Sequence, residues 1–149
     1  MKALRKTKNA TMASAIAVSL LISGSVALAA GTSAAMGGGG PFADYDPIVA
    51  KYNASGEEFR IVGYCKSSCT LFLGIRNVCV DHDAVLWFHA ARLMSDPLKT
   101  PVESLTNHLR ANFKPALVAY LDGHGYLRRS EYHVMTGAEM AQFGYRICK

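Results

Sequence analysis

The sequence predicts a compact α/β domain, and two observations support this prediction. The predicted elements follow the order helix, strand, helix, strand, strand and then helices, which is typical of a short, mostly parallel sheet with right-handed crossovers and flanking helices. The chain also has four cysteines. In an exported protein of this size, an even number of cysteines favours two disulfide bonds, so we expect a disulfide-stapled domain.

Residues 1–29 have the pattern of a secretory signal peptide. Basic residues lie near the start, and residues 12–30 are uncharged and rich in Ala, Val, Leu and Ile. The small-x-small sequence Ala27-Leu28-Ala29 predicts cleavage after Ala29. An uncleaved anchor is the alternative, because the uncharged stretch is nearly long enough to span a bilayer. Serines dilute its apolarity, so we expect a periplasmic or secreted protein with no stable membrane anchor.

Cleavage of the signal peptide would change the charge balance of the protein. The whole chain has 16 Lys and Arg against 11 Asp and Glu, and four of the basic residues belong to residues 1–29. The mature chain therefore has almost no basic excess, and nucleic acid is not an expected partner. Its length fits a single domain.

The mature chain divides into a predicted flexible, glycine-rich leader at residues 30–41 and a domain at residues 42–149. Apolar residues three and four positions apart predict a first helix, with Asp46-Pro47 at its start and Gly56 at its end. The first half then continues with a strand at 59–63, a sharp turn at 64–66, a helix at 67–73 and strands at 77–80 and 84–89.

The second half of the chain is predicted to be mainly helical. Its predicted elements are a helix after the capping box Thr100-Pro101-Val102-Glu103, a helix from Pro115 to Gly123, a helix after the capping box Thr136–Glu139 that ends at Gly144, and a terminal strand or tether at 145–148.

Ser67 and His89 are the candidates for chemistry. Ser67 lies on a turn between a strand and a helix, where unpaired helical N–H groups favour the negative charge that develops during acyl transfer. His89 lies at the carboxyl end of a strand, from which it can face the same crevice and act as a general base. The structural alternatives are that Ser67 only caps its helix and that His89 is a hydrogen-bonded interior histidine.

Cys65 and Cys69 allow a second interpretation. Together with His82 or His89 they have passable spacing for zinc ligands. An oxidising compartment favours disulfides over zinc, so we expect no metal and no cofactor.

The segments Cys65-Lys-Ser-Ser-Cys-Thr70 and Trp87-Phe-His-Ala-Ala91 resemble the Clp protease proteolytic subunit of the Clp/crotonase superfamily. They are more similar still to small exported Clp-like proteins of alphaproteobacteria. The resemblance implies a truncated Clp/crotonase-like domain without the family's opening strands. It also implies that Ser67 is the nucleophile, that His89 is its base, and that the two strands before His89 form a hairpin-like pair.

The resemblance extends to the other site residues. It implies an oxyanion hole formed by the backbone N–H groups of Gly40 and Ser68. The family's acidic triad member corresponds to Tyr132 here, which leaves Glu131 and Asp122 as possible acids that do not match the motif.

The resemblance also implies a cysteine pairing. The family's terminal strand packs near the strand that follows the nucleophile helix, which favours Cys79–Cys148 and leaves Cys65–Cys69 to brace the turn around Ser67. The sequence by itself leaves the other connectivities open. Trp87 is bulkier than the family's usual residue and could fill the substrate cleft.

Two functions are therefore expected. The first is an exported, peptidase-like serine hydrolase that uses a Ser-His dyad on a peptide or protein substrate. The alternative is a non-catalytic Clp-like binding or structural module of the periplasm, which the missing carboxylate and the bulk of Trp87 favour. A disulfide-stapled interaction protein without active-site ancestry is a third hypothesis.

Overall fold

The computed structural model describes residues 31–149, so the predicted signal peptide at residues 1–29 lies outside the described residues. The helices are α1 (Phe42–Ser55), α2 (Glu103–Ala111) and α3 (Pro115–Gly123), and the strands are β1 (Gly31–Thr32), β2 (Phe59–Ile61), β3 (Tyr64–Lys66), β4 (Val78–Val80), β5 (Val85–Phe88), β6 (His133–Thr136) and β7 (Arg146–Ile147). Short 3-10 helices span Ser67–Gly74, Tyr126–Arg128 and Ala138–Phe143. None of the helices in this part of the chain is long and apolar enough to cross a membrane.

The strands form two sheets. The four-stranded sheet has the order β1-β2-β4-β7 with parallel pairs throughout, and the three-stranded sheet has the order β3-β5-β6. Within the second sheet, β3 is parallel to β5 and β5 is antiparallel to β6. The α/β class with a mostly parallel sheet and flanking helices is thus confirmed.

The hairpin-like pairing of the two strands before His89 is wrong. β4 pairs with β2 in the first sheet, whereas β5 pairs with β3 in the second. Gly63, with a φ of 61°, turns the chain from β2 into β3. The Val85 N–H donates to the Gly63 carbonyl, so β5 follows β3 into the second sheet. β4 lies between β2 and β7, and β5 lies between β3 and β6, so neither strand has a free edge for the other.

Residues 31–41 of the predicted flexible leader are instead part of the fold. Its residues 31–32 form β1 on the edge of the first sheet, and Ser33 is fully buried. The Ser33 hydroxyl donates to the Val62 carbonyl and accepts from the Val62 N–H. The Gly37 carbonyl accepts a 2.8 Å hydrogen bond from the Lys66 N–H. Glycine-rich composition indicated flexibility, but hydrogen bonds to distant strands fix this segment.

The ends of the helices were predicted with mixed success. Helix α1 ends at Gly56, which has a left-handed φ of 73°, but it begins at Phe42 rather than at the expected Asp46. The capping box expected at Thr100 does not form, because the Thr100 N–H donates to the Asp96 carboxylate. The capping box of Thr136 and Glu139 does form, with the Thr136 N–H donating to Glu139 Oε2 at 2.6 Å.

The hydrophobic core includes side chains from both sheets and from the helices, and Phe72 is fully buried in it. The Phe72 ring packs 4.6 Å from the Phe59 ring of β2 and 5.3 Å from the Tyr45 ring of α1, measured between centroids. Both disulfides implied by the resemblance are present. Cys79–Cys148 joins β4 to the C-terminus, and Cys65–Cys69 joins β3 to the 3-10 helix that follows it.

Candidate active site

Ser67 is held in a backbone conformation that is unusual for a residue with a side chain. It is the first residue of the 3-10 helix Ser67–Gly74, directly after β3, and its φ is 54°. The Cys65–Cys69 disulfide closes the chain around it, and both cysteines are fully buried. The Thr70 hydroxyl donates a 2.6 Å hydrogen bond to the Ser67 carbonyl. These contacts stabilise a strained turn of the kind that is found at functional sites.

His89 reaches Ser67 because β3 and β5 are parallel neighbours. Their register pairs Lys66 with Trp87, so the carboxyl ends of both strands lie at the same edge of the sheet. The distance between Ser67 Oγ and His89 Nε2 is 2.8 Å. His89 is 2% exposed, so the hydrogen bond lies largely out of bulk water. The two residues singled out in the sequence are therefore in direct contact.

The environment of His89 favours its neutral form. The pKa of His89 is lowered from 6.5 to about 4, mainly by burial, next by the positive charge of Arg92 and least by that of Lys66. The Ala90 backbone favours the charged form and opposes part of this shift of the pKa. A neutral imidazole with its Nε2 on a hydroxyl can accept that hydroxyl's proton.

Neither expected acid reaches His89. Asp122 accepts hydrogen bonds from the Arg110 guanidinium with both carboxylate oxygens, and Glu131 is exposed at the surface. His89 Nδ1 is buried and has no hydrogen-bond partner within residues 31–149. The proposed roles of Asp122 and Glu131 as triad acids are therefore wrong. Asp122 is paired with Arg110 instead, and the Glu131 side chain, two residues before β6, is exposed to solvent.

Tyr132 contacts His89 where a carboxylate was expected. It directly precedes β6, whose antiparallel register with β5 pairs His133 with Phe88. The Tyr132 ring lies edge-to-face against the His89 imidazole, with centroids 4.7 Å apart. The ring packs against the imidazole, but His89 Nδ1 has no hydrogen-bond partner within residues 31–149.

The glycine-rich loop lies directly against the serine. A Cβ atom on Gly39, whose φ is 77°, would be 2.8 Å from the Lys66 carbonyl oxygen and 3.0 Å from Ser67 Cβ, so only glycine fits there. The Ser68 hydroxyl donates a 2.5 Å hydrogen bond to the Gly40 carbonyl. Within residues 31–149, the backbone N–H groups of Gly40 and Ser68 have no acceptor. Two free donors therefore adjoin the Ser67–His89 pair.

A cleft with a volume of about 670 Å³ opens in front of Ser67 and His89. Besides the glycine-rich loop and Tyr132, the cleft is lined by apolar and charged side chains that sequence reasoning did not place at the site, among them Phe42, Arg92, Leu93, Met94, Asp96, Lys99 and Leu105. Trp87 is not among the lining residues; its ring packs against Tyr132 instead. Leu93 and Met94 form an exposed apolar wall of the cleft. Their position just after the His89 segment is the sequence signal that could have indicated it.

The described residues offer no evident metal site. Between residues 31 and 149, no three His, Cys, Asp or Glu side chains are grouped so that they could hold an ion. The cysteines that had suggested zinc are joined in disulfides.

The chain matches no protein-family model, and comparisons with curated proteins and with solved structures find no match. The resemblance to the Clp protease proteolytic subunit therefore stays a prediction from the sequence. The geometry around Ser67 is the basis for a functional assignment.

Proposed function

We propose that this protein is a serine hydrolase that uses a Ser67–His89 dyad for acyl transfer. The observation that supports the proposal most strongly is the 2.8 Å contact between Ser67 Oγ and the neutral Nε2 of a buried histidine. A serine hydroxyl becomes a useful nucleophile only when a positioned base accepts its proton. The left-handed Ser67 backbone and the cleft in front of it add to this support.

The reaction follows from these groups. Ser67 Oγ attacks the carbonyl carbon of the substrate while the hydroxyl proton passes to His89 Nε2. The free N–H groups of Gly40 and Ser68 are the proposed donors to the oxyanion. The His89 imidazolium then gives its proton to the leaving group, whose bond to the acyl carbon breaks. Water hydrolyses the acyl-enzyme in the same way, with His89 again as base.

The proposed dyad should turn over slowly. A carboxylate on the far nitrogen of the histidine normally orients the ring and stabilises the imidazolium, and its loss lowers the rate by about 10⁴ in triad enzymes. His89 Nδ1 has no such partner within residues 31–149. A mechanism-based probe that reports a single acylation-like event is therefore a better test than turnover of a substrate.

The test is the labelling of the oxidised protein with an alkyl fluorophosphonate. We expect stoichiometric attachment at Ser67, detected by intact mass and peptide mapping, and its loss in Ser67→Ala. Ser55→Ala is the matched control, because it removes a serine hydroxyl at the exposed end of α1. Wild-type protein that is folded but not labelled would contradict the hydrolase proposal.

A non-catalytic binding or structural module is the second candidate. The absence of a partner for His89 Nδ1 within residues 31–149 favours it, because an unsupported histidine is a poor catalytic base. The same cleft would then hold a ligand without cleaving it. An unlabelled, folded protein would support this alternative.

A further inference from the structure

Arg92 places an unpaired positive charge in the cleft beside the dyad. Its side chain is half-buried, lines the cleft and lies three residues after His89. The four arginine ion pairs in residues 31–149 belong to Arg60, Arg110 and Arg146. In that part of the chain no carboxylate lies within ion-pair distance of the Arg92 guanidinium. Burying such a group without a counter-charge costs free energy, which a bound anion would return.

The other charges of the cleft do not neutralise Arg92. Lys99 adds a second positive charge to the lining. The one carboxylate among the lining residues is Asp96, which accepts hydrogen bonds from the backbone N–H groups of Leu98 and Thr100 at 2.9 and 2.8 Å. Those bonds hold the Asp96 carboxylate within its own loop. The cleft therefore has a positive balance next to an apolar wall.

Arg92 is also close enough to His89 for the two groups to interact. Its charge is, after burial, the largest influence that lowers the pKa of His89. An anion bound at the guanidinium would thus lie near the reacting serine and would partly cancel the effect of the arginine on the histidine. Leu93 and Met94, the next two residues, provide exposed apolar surface for the rest of such a molecule.

We propose that the cleft accepts acyl compounds that carry an anionic group, such as a carboxylate, which Arg92 binds beside the Ser67–His89 pair. The guanidinium is suited to this role, because its planar donors match a carboxylate in a bidentate pair. The substrate class is then an amphiphilic ester or amide with an apolar part along Leu93 and Met94 and a negative charge at Arg92. The proposal rests on the hydrolase function.

The experiment compares two matched pairs of ester substrates. The first pair compares methyl 4-nitrophenyl glutarate with mono-4-nitrophenyl glutarate. The second compound has a free carboxylate on its acyl group. In the second pair a 4-nitrophenyl ester is compared with its 3-carboxy-4-nitrophenyl counterpart, so the anion lies on the leaving group. We expect kcat/KM to be about tenfold or more higher for the anionic member of one pair, as a charge-assisted hydrogen bond would give.

Variants assign any such preference to Arg92. Arg92→Gln should abolish it, and Arg92→Lys should keep part of it because the charge remains. Arg128→Gln is the matched control, since Arg128 is exposed and does not line the cleft. An absence of preference in the wild-type protein for both pairs, or a preference that Arg92→Gln leaves unchanged, would overturn the proposal.

The fluorophosphonate probe separates this proposal from the hydrolase function. The probe is uncharged, so Arg92→Gln should still be labelled at Ser67. Labelling without a preference for anions would remove only the anionic substrate class. A folded wild-type protein without labelling would remove the hydrolase and the substrate class together.

Discussion

The two sheets of the molecule differ in how completely their polar groups are paired. In the four-stranded sheet, Arg60 of β2 forms a 2.9 Å ion pair with Asp81, and the Cys79–Cys148 disulfide ties β4 to the C-terminus. The three-stranded sheet and its edge contain buried nitrogen atoms that have no hydrogen-bond partner in the described part of the chain. These are Trp87 Nε1, His133 Nε2 and, just beyond β5, His89 Nδ1. Ser67, at the end of β3, adds a strained backbone to the same region.

This difference indicates a division between scaffold and site. Buried polar groups are normally hydrogen-bonded, and exceptions concentrate where a protein gives up stability for chemistry. The four-stranded sheet and its disulfide provide the rigid support. The three-stranded sheet holds the serine and the histidine at its edge and leaves nitrogen atoms unpaired there. Changes to the two sheets should therefore have separable effects on stability and on reactivity.

The largest expected effect comes from the disulfides. Cys79 and Cys148 are 69 residues apart and Cys65 and Cys69 are four apart. Replacing both members of the long-range pair with serine should lower the free energy of unfolding by about 4 kcal/mol, and the same change in the short-range pair by about 2 kcal/mol. Urea unfolding of the two double variants measures this difference.

Fluorophosphonate labelling of Ser67 should depend on the two disulfides in the opposite order. The Cys65→Ser and Cys69→Ser pair releases the turn around Ser67, so this double variant should lose fluorophosphonate labelling while it is still folded. The Cys79→Ser and Cys148→Ser variant should keep labelling under conditions where it is folded. Unimpaired labelling after loss of the Cys65–Cys69 bridge would show that the turn is held without it.

The second prediction concerns the pH dependence of Ser67 labelling. The protonated imidazole cannot accept the serine proton, and the pKa of His89 is about 4. The labelling rate should therefore stay constant from neutral pH down to about pH 5 and fall about tenfold for each unit well below pH 4. Rates across this range measure the midpoint. A midpoint near 6.5 would contradict the burial of the imidazole.

The same lowered pKa makes a prediction for stability. An unfolded histidine takes up its proton near pH 6.5, whereas folded His89 does so only near pH 4. As pH falls through this window the unfolded state binds the extra proton, so the contribution of His89 to the free energy of unfolding decreases. Comparison of the wild-type protein with His89→Gln by urea unfolding isolates this contribution, and the same change in exposed His82 is the control.

The smallest expected effect comes from Tyr132. Tyr132→Asp would place a carboxylate next to the His89 ring and raise the pKa of His89 by about one unit. A faster labelling rate should accompany this change, because the carboxylate also orients the imidazole. Tyr132→Asn is the matched control, since it removes the same ring without adding charge. Imidazole titration by NMR distinguishes the two variants, and equal pKa values in both would contradict the prediction.

The sequence by itself predicted the parts of the fold that depend on local signals. Gly56 and Gly144 end helical segments in left-handed conformations, and Pro115 begins α3 as expected. The α/β class followed from the order of elements, and Ser67 and His89 were found from their places at the end of a strand and the start of a helix. Local chemistry determines these features, because turn geometry and helix ends depend on a few neighbouring residues.

Only the tertiary structure decided which distant groups meet. Residues 31–41 become ordered because their backbone pairs with β2 and with Lys66, which no local pattern could indicate. The separation of β4 from β5 likewise depends on partners that are far away in the chain. Asp122 pairs with Arg110 rather than with His89, and the Tyr132 ring contacts the His89 imidazole. Long-range pairing and competition between charged groups determine these contacts, so the sequence could single out Ser67 and His89 but not their surroundings.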